Sequence, residues 1–215
     1  MTVFYQRLAN AIATHNSVLC VGLDPDIAKL PAPLRNHPDA VYQFCADIIN
    51  ATSDVVAAFK PNIAFFEAMG VAGIEVLTRL TALTRHNFWI LDAKRGDIGS
   101  TAEQYAIEAF ERYGADAVTL SPFMGFDSVE PYLRRHGKGA FLLCRTSNPG
   151  GDDLQSQRLA SVDGQPLLFE HVARQAQGPW NRNGQLGLVV GATYPAEIER
   201  VRALAPTLPL LIPGV

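Results

Sequence analysis

A (β/α)8 barrel is the fold class this chain predicts, on three observations. Short, apolar, β-rich runs alternate with longer stretches of helical spacing, seven such runs can be drawn, and nearly every run ends in a polar residue at its carboxyl end. A doubly wound sheet shares the alternation. The polar strand ends favour the barrel: Asp24, Lys60, Asp92 with Lys94, Ser121, Thr146 with Ser147, and Thr193. Parallel α/β folds assemble their active sites at that end of the strands, which points to an enzyme.

The strands expected are 17–24 (SVLCVGLD), 54–60 (DVVAAFK), 88–94 (FWILDAK), 117–121 (AVTLS), 140–147 (AFLLCRTS), 186–192 (LGLVVGA) and 208–214 (LPLLIPG). Their near-continuous apolar character fits strands covered on both faces. Helices are expected at 38–52, 63–85, 100–113, 126–136, 165–177 and 195–204, where apolar residues such as Val41, Phe44, Cys45 and Ile48 fall three and four apart. A leading helix runs through Phe4, Leu8 and Ile12. The expectation is therefore one barrel domain over 1–215 with seven of eight strands, lacking the eighth strand and final helix, because the chain stops directly after LLIPGV.

At 215 residues and 48% hydrophobic content, the chain can bury one sizeable core. A net charge of -3, spread along the chain, supplies no basic stripe for nucleic acid and no polybasic membrane anchor. No apolar run approaches the ~20 residues of a membrane helix, and no signal peptide is visible, so the expected location is cytoplasmic. Cys20, Cys45 and Cys144 lie singly in apolar segments and read as free buried thiols. The five histidines show no metal-ligand spacing, and neither G-x-G-x-x-G nor a P-loop is present, so no metal and no cofactor is expected.

The chemistry concentrates in FWILDAKRGDIGSTAEQY, residues 88–105. Residues two apart on a strand share a face, so Asp92 and Lys94 project together. Asp97 follows past Gly96, and a turn at Gly96 and Gly99 can swing its carboxylate back to the site or outward to a neighbouring subunit. Ser100 to Glu103 reads as a capping box opening a helix. A lysine held between two carboxylates stays an ammonium and can act as a positioned acid. A carboxylate set against a substrate anion raises that anion's energy, and loss of neutral CO2 relieves it. Such a set can decarboxylate without a metal, a Schiff base or a cofactor.

LDAKRGDIGSTA, with GLDP at 22–25, FKPN at 59–62, RTSNPG at 145–150, VVGAT at 189–193 and LLIPGV at 210–215, resembles the orotidine 5'-monophosphate decarboxylase family, in particular its longer bacterial branch. D-x-K-x-x-D alone marks a wider barrel superfamily that includes phosphosugar decarboxylases and aldolases, whereas the Lys-Arg-Gly-Asp form with FKPN and TSNPG is more specific. The resemblance implies a homodimer with shared active sites that acts on a nucleotide. It implies Lys94 as proton donor to C6 of the pyrimidine, Asp92 against the substrate carboxylate, and Lys60 in a charge network with Asp92 and a ribose hydroxyl. It further implies Asp24 at the ribose, Ser147 at the pyrimidine edge, Ile98 beside the carboxylate pocket, and Asp97 with Thr101 supplied across the dimer. The polar stretch 148–164 is expected to be a lid, the phosphate site is expected beyond residue 215, and the chain as given is expected to bind nucleotide weakly or not at all. Arg95 has no role in this scheme. The alternatives are a metal-dependent phosphosugar lyase, a Schiff-base aldolase using Lys60 or Lys94, and an inactive truncated barrel.

Overall fold

All seven expected strands form, in the expected order. They are β1 (Cys20–Leu23), β2 (Ala58–Pro61), β3 (Phe88–Arg95), β4 (Ala117–Leu120), β5 (Gly139–Arg145), β6 (Leu186–Val190) and β7 (Leu210–Leu211), all parallel, with spatial order equal to chain order. The computed structural model describes residues 2–84 and 87–214; Met1, Arg85, His86 and Val215, and with them the expected end of the helix at 85, lie outside the described residues.

Alternation along the strands sorts the core into two regions. Phe59, Trp89, Leu91, Val118, Leu120, Leu142 and Leu188 face outward onto the helices, where α2 (Ala40–Thr52) contributes Cys45 and Ile49, and α4 (Val71–Leu80) contributes Leu77 and Leu80. The opposite faces contribute Cys20, Ala58, Phe88, Ile90, Ala117, Phe141, Val189 and Leu211 to one inner cluster around Phe4. A flat sheet cannot bring residues of β1 and β7 into one cluster. The sheet is curled into a barrel wall, and α1 (Val3–His15) lies across its floor.

Phe4 is fully buried, with its ring 5.9 Å from Phe88 and 6.3 Å from Phe141 between centroids. A Cβ at Gly139 would lie 2.1 Å from that ring, so β5 must begin with a glycine where α1 crosses it. Arg7 ties the same helix to Asp116, whose other oxygen accepts the Trp89 amide at 2.9 Å. Lys138 completes this group 3.8 Å from Asp116, beside a floor cavity of about 600 Å³ whose charges are thus largely paired with one another.

Three expected helices differ in detail. The stretch at 63–85 is two helices, α3 (Ile63–Glu67) and α4, because Gly70 turns the chain with φ 67° and Gly73 packs where a Cβ would sit 1.9 Å from the Phe66 carbonyl oxygen. The stretch at 100–113 is α5 (Gly99–Ile107) widening into a π-turn over Glu108–Arg112. The stretch at 126–136 holds a 3-10 turn at Phe126–Ser128 and the single turn α6 (Glu130–Leu133). The last two, α7 (Leu168–Gln177) and α8 (Pro195–Leu204), match expectation, although α7 begins three residues late.

The capping box expected at Ser100 does not form. The helix starts one residue earlier, no side chain caps it, and Glu103 instead accepts a hydrogen bond from Arg135 at 2.5 Å. Glu170 makes the equivalent contact in α7, accepting the Leu167 amide at 3.0 Å. Cys45 and Cys144 are buried free thiols, and burial pushes both up to about 12; Cys20 is free and half-buried. Among the described residues, no helix is long and apolar enough to cross a membrane.

Because Phe4 fills the space between strands far apart in sequence, Phe4→Ala is expected to lower the unfolding free energy by about 3–5 kcal/mol. Urea denaturation measures this. A midpoint unchanged from the unsubstituted protein would show that the ring does not hold the floor.

Candidate active site

The inward columns of β2 and β3 carry apolar residues at the floor and charge at the carboxyl rim. On β2 the column runs from Ala58 to Lys60, and on β3 from Phe88 and Ile90 to Asp92. Adjacent strands pair Ala58 with Phe88 and Asn62 with Asp92, so the long Lys60 side chain reaches along the wall to Asp92. Lys60 Nζ donates to Asp92 Oδ2 at 3.0 Å, and Lys94 Nζ donates to Asp92 Oδ1 at 2.7 Å. The Asp92 side chain is 9% exposed, that of Lys60 14% and that of Lys94 49%, so Lys94 is the member open to the barrel mouth.

Among the described residues, the Asp92 carboxylate sits between two lysines, Lys60 and Lys94. Burial pushes the Asp92 carboxyl up, but the ammonium groups of Lys60 and Lys94 outweigh it and hold the carboxyl below its ordinary range. Asp97 points elsewhere, its Oδ1 accepting the adjacent Ile98 amide at 2.8 Å. Ile98 and Thr101 are exposed.

Lys94 reaches Asp92 from an unusual backbone. Its φ is +48°, in the left-handed region that costs a side-chain-bearing residue about 1–2 kcal/mol. The β3–β4 register shifts at the same place, passing from Leu91 opposite Val118 to Arg95 opposite Leu120. Three residues of β3 thus face one of β4, Thr119, a residue to which the sequence pattern assigns no task. Its hydroxyl lies 2.9 Å from Asp92 Oδ1 and 3.0 Å from each of the Ala93 and Lys94 amides.

Past this irregularity Arg95 leaves on the outer side. It bonds Glu67 of α3 at 2.8 Å and Glu108 of the π-turn at 3.2 Å, with its guanidinium 4.5 Å from the Tyr105 ring centroid. Arg95 is a clamp on the helix layer.

The remaining expected residues ring the mouth. Asp24, after β1, lies 3.5 Å from the side-chain amide of Asn62, which also caps α3 by accepting the Ala64 amide. Asn62 further bridges the backbone of Asp92; it stands in FKPN, and only the folded chain shows that it links two strand ends. Ser147 is exposed after β5, packed so closely to the end of β6 that a Cβ at Gly191 would lie 2.8 Å from its own. That close approach explains the glycine of VVGAT.

The polar stretch after β5, expected to be a lid, is a folded excursion. A 3-10 helix spans Pro149–Asp153, and Arg158 bridges to Leu167. Arg145, 2% exposed, holds its root by donating to Asp152 at 2.6 Å and to Glu197 of α8 at 2.7 Å.

Since the Asp92 carboxyl is lowered by folding, the stability it confers is present above the unfolded value near pH ~4 and is lost as pH falls through the folded value. Asp92→Asn is expected to flatten the acid side of the stability curve below about pH 4. Urea melts across that range test it; parallel curves would mean that Asp92 is not the titrating group.

Comparisons with known proteins identify the family. The family described as "Orotidine 5'-phosphate decarboxylase / HUMPS family" matches residues 17–215. The orotidine 5'-phosphate decarboxylase of Paracidovorax citrulli (strain AAC00-1) is 74% identical over 214 residues, covering 99% of this chain and 78% of the relative. That of Polaromonas naphthalenivorans (strain CJ2) is 70% identical over 216 residues, covering 99% of this chain and 76% of the relative. The solved structure of Leishmania donovani OMP decarboxylase superposes with a TM-score of 0.87 at 43% identity, covering 100% of this chain and 80% of that one. With a rim of lysine, aspartate and lysine at its barrel mouth, this chain belongs to the orotidine 5'-phosphate decarboxylase family.

Proposed function

We propose that this protein converts orotidine 5'-monophosphate to uridine 5'-monophosphate and CO2, the decarboxylation that completes this pyrimidine nucleotide. The observation that carries the reading is the Asp92 carboxylate fixed between Lys60 and Lys94 at the barrel mouth, in a chain of this family.

The chemistry follows from charge. The substrate carboxylate on C6 is placed against Asp92, which cannot escape the repulsion by taking a proton, because its two lysines favour the anion. Breaking the C6–carboxylate bond releases neutral CO2 and leaves the bonding pair on C6. In this reading Lys94, whose Nζ lies 2.7 Å from Asp92 and is half exposed, stands beside that carbon and stabilises the developing charge. Its proton then goes to C6, and solvent returns one to the amine. Lys60 positions Asp92 and reaches a ribose hydroxyl, Asp24 binds the ribose, and Ser147 meets the pyrimidine edge.

Two copies complete the site in this reading, with Asp97, Ile98 and Thr101 of each chain serving the other. Support comes from the exposed apolar side chains on adjacent strand-end loops: Phe123 is 78% exposed, Met124 46% and Ile98 48%. Apolar groups gathered beside a site mark a surface that buries on association.

Loss of orotidine 5'-monophosphate, followed by absorbance, tests the reaction. Lys94→Ala is expected to lower kcat by about 10²–10⁴-fold; activity that survives it overturns Lys94 as the acid. For the shared site, Lys94→Ala and Asp97→Ala are expected to be inactive separately. Mixing and reassociating them should recover roughly a quarter of normal activity, since about half the dimers are mixed and each has one intact site. No recovery on mixing would place Asp97 in its own barrel.

A further inference from the structure

We propose that Thr119 is a positioning residue for the decarboxylation, whose hydroxyl aims the Asp92 carboxylate and holds the backbone that presents Lys94. The inference rests on the functional reading above and goes beyond it, to a side chain that touches no substrate.

The argument starts from the ladder. Between Leu91 opposite Val118 and Arg95 opposite Leu120, β3 carries Asp92, Ala93 and Lys94 while β4 carries Thr119 alone. A parallel pair with matched residues satisfies its amides with backbone carbonyls; here β3 has amides in excess of opposing carbonyls. The Thr119 side chain fills the deficit. It is 1% exposed, so water is no alternative.

A hydroxyl has one hydrogen and two lone pairs. The Ala93 and Lys94 amides, each 3.0 Å away, can only donate, so they occupy the two lone pairs. The hydrogen must then go to an acceptor, and Asp92 Oδ1 stands at 2.9 Å. Every role is forced, and the hydroxyl is saturated.

Two consequences meet at one oxygen. Oδ1 is also the atom that receives the Lys94 ammonium, while Oδ2 receives Lys60. Thr119 therefore fixes the carboxylate's rotation and, through the Lys94 amide, the left-handed φ of +48° from which that side chain departs. Removing the hydroxyl leaves the lysines in place and frees both the carboxylate plane and the backbone turn. A donated hydrogen bond also favours the carboxylate form, so its loss moves Asp92 ionisation upward.

Thr119→Val keeps the shape and deletes the hydroxyl, and Thr119→Ser restores it. In assays of orotidine 5'-monophosphate loss, Thr119→Val is expected to lower kcat about 10- to 100-fold, with KM changed less than about threefold and the acid limb of the kcat–pH profile moved to higher pH. Thr119→Ser is expected to lie within about threefold of the unsubstituted enzyme. Hydrogen exchange of the Ala93 and Lys94 amides, followed by NMR, supplies a readout independent of turnover: both should exchange faster in Thr119→Val and not in Thr119→Ser. Normal kcat and pH profile in folded Thr119→Val overturns the positioning role. If the unsubstituted protein does not turn over this nucleotide, the functional reading fails by itself, and unchanged exchange at residues 93 and 94 would overturn the Thr119 assignment on its own terms.

Discussion

A single buried carboxylate governs this molecule. Taking an aspartate out of water costs several kcal/mol unless cations and hydrogen bonds replace the lost solvent. Asp92 obtains them from two strands and from its own: Lys60 on β2, Thr119 on β4 and Lys94 two residues along. Each partner must come within reach of that carboxylate, which requires the register of three neighbouring strands. The parallel pairing of β2, β3 and β4 supplies it, and the inner apolar layer beneath, from Ala58 through Ile90 to Ala117, sets the depth. The fold and the charge cluster are thus one constraint seen at two scales.

The crowding of charge after FWIL resolves by direction. Asp92 faces the barrel interior, Lys94 its mouth and Arg95 the helix layer, with Asp97 on the loop beyond. Four charged residues so close in sequence would interfere if the strand continued regularly, since alternation would leave Asp92, Lys94 and the backbone of Arg95 in one plane of pleat. The register shift breaks that alternation. The left-handed turn at Lys94 is the local strain, and burial of Arg95 against Glu67, Glu108 and Tyr105 holds the far side in place.

Much of this was legible in the sequence, for a physical reason. Parallel strands covered on both faces must be apolar, so a lysine or aspartate ending an apolar run, as at Lys60, Asp92 and Lys94, has no place except the rim. The illegible parts depend on contacts between segments. Thr119 looks like any β-branched strand residue until the bulge opposite it is known. Ser100 looks like a cap, yet the helix begins one residue sooner and Arg135, distant in sequence, takes the carboxylate assigned to it. Gly70 breaks an apolar pattern that remains continuous across it, and Arg145 turns a stretch with the composition of an open loop into a folded one. Periodicity reports which face is buried; it does not report where the backbone departs from its period.

Phe4 has a consequence for how the protein comes into being. Its ring belongs to the same cluster as residues from every strand up to Leu211 of β7, so the floor helix shares one apolar layer with segments far along the chain. On a ribosome, the floor helix must wait with its phenyl group unburied while some two hundred residues are translated, at about 5–20 residues per second, before its socket closes. Contacts between segments so far apart form late and leave an aromatic surface open during synthesis. The opening residues of this chain are therefore where early association with a chaperone or a sister chain has its greatest opportunity.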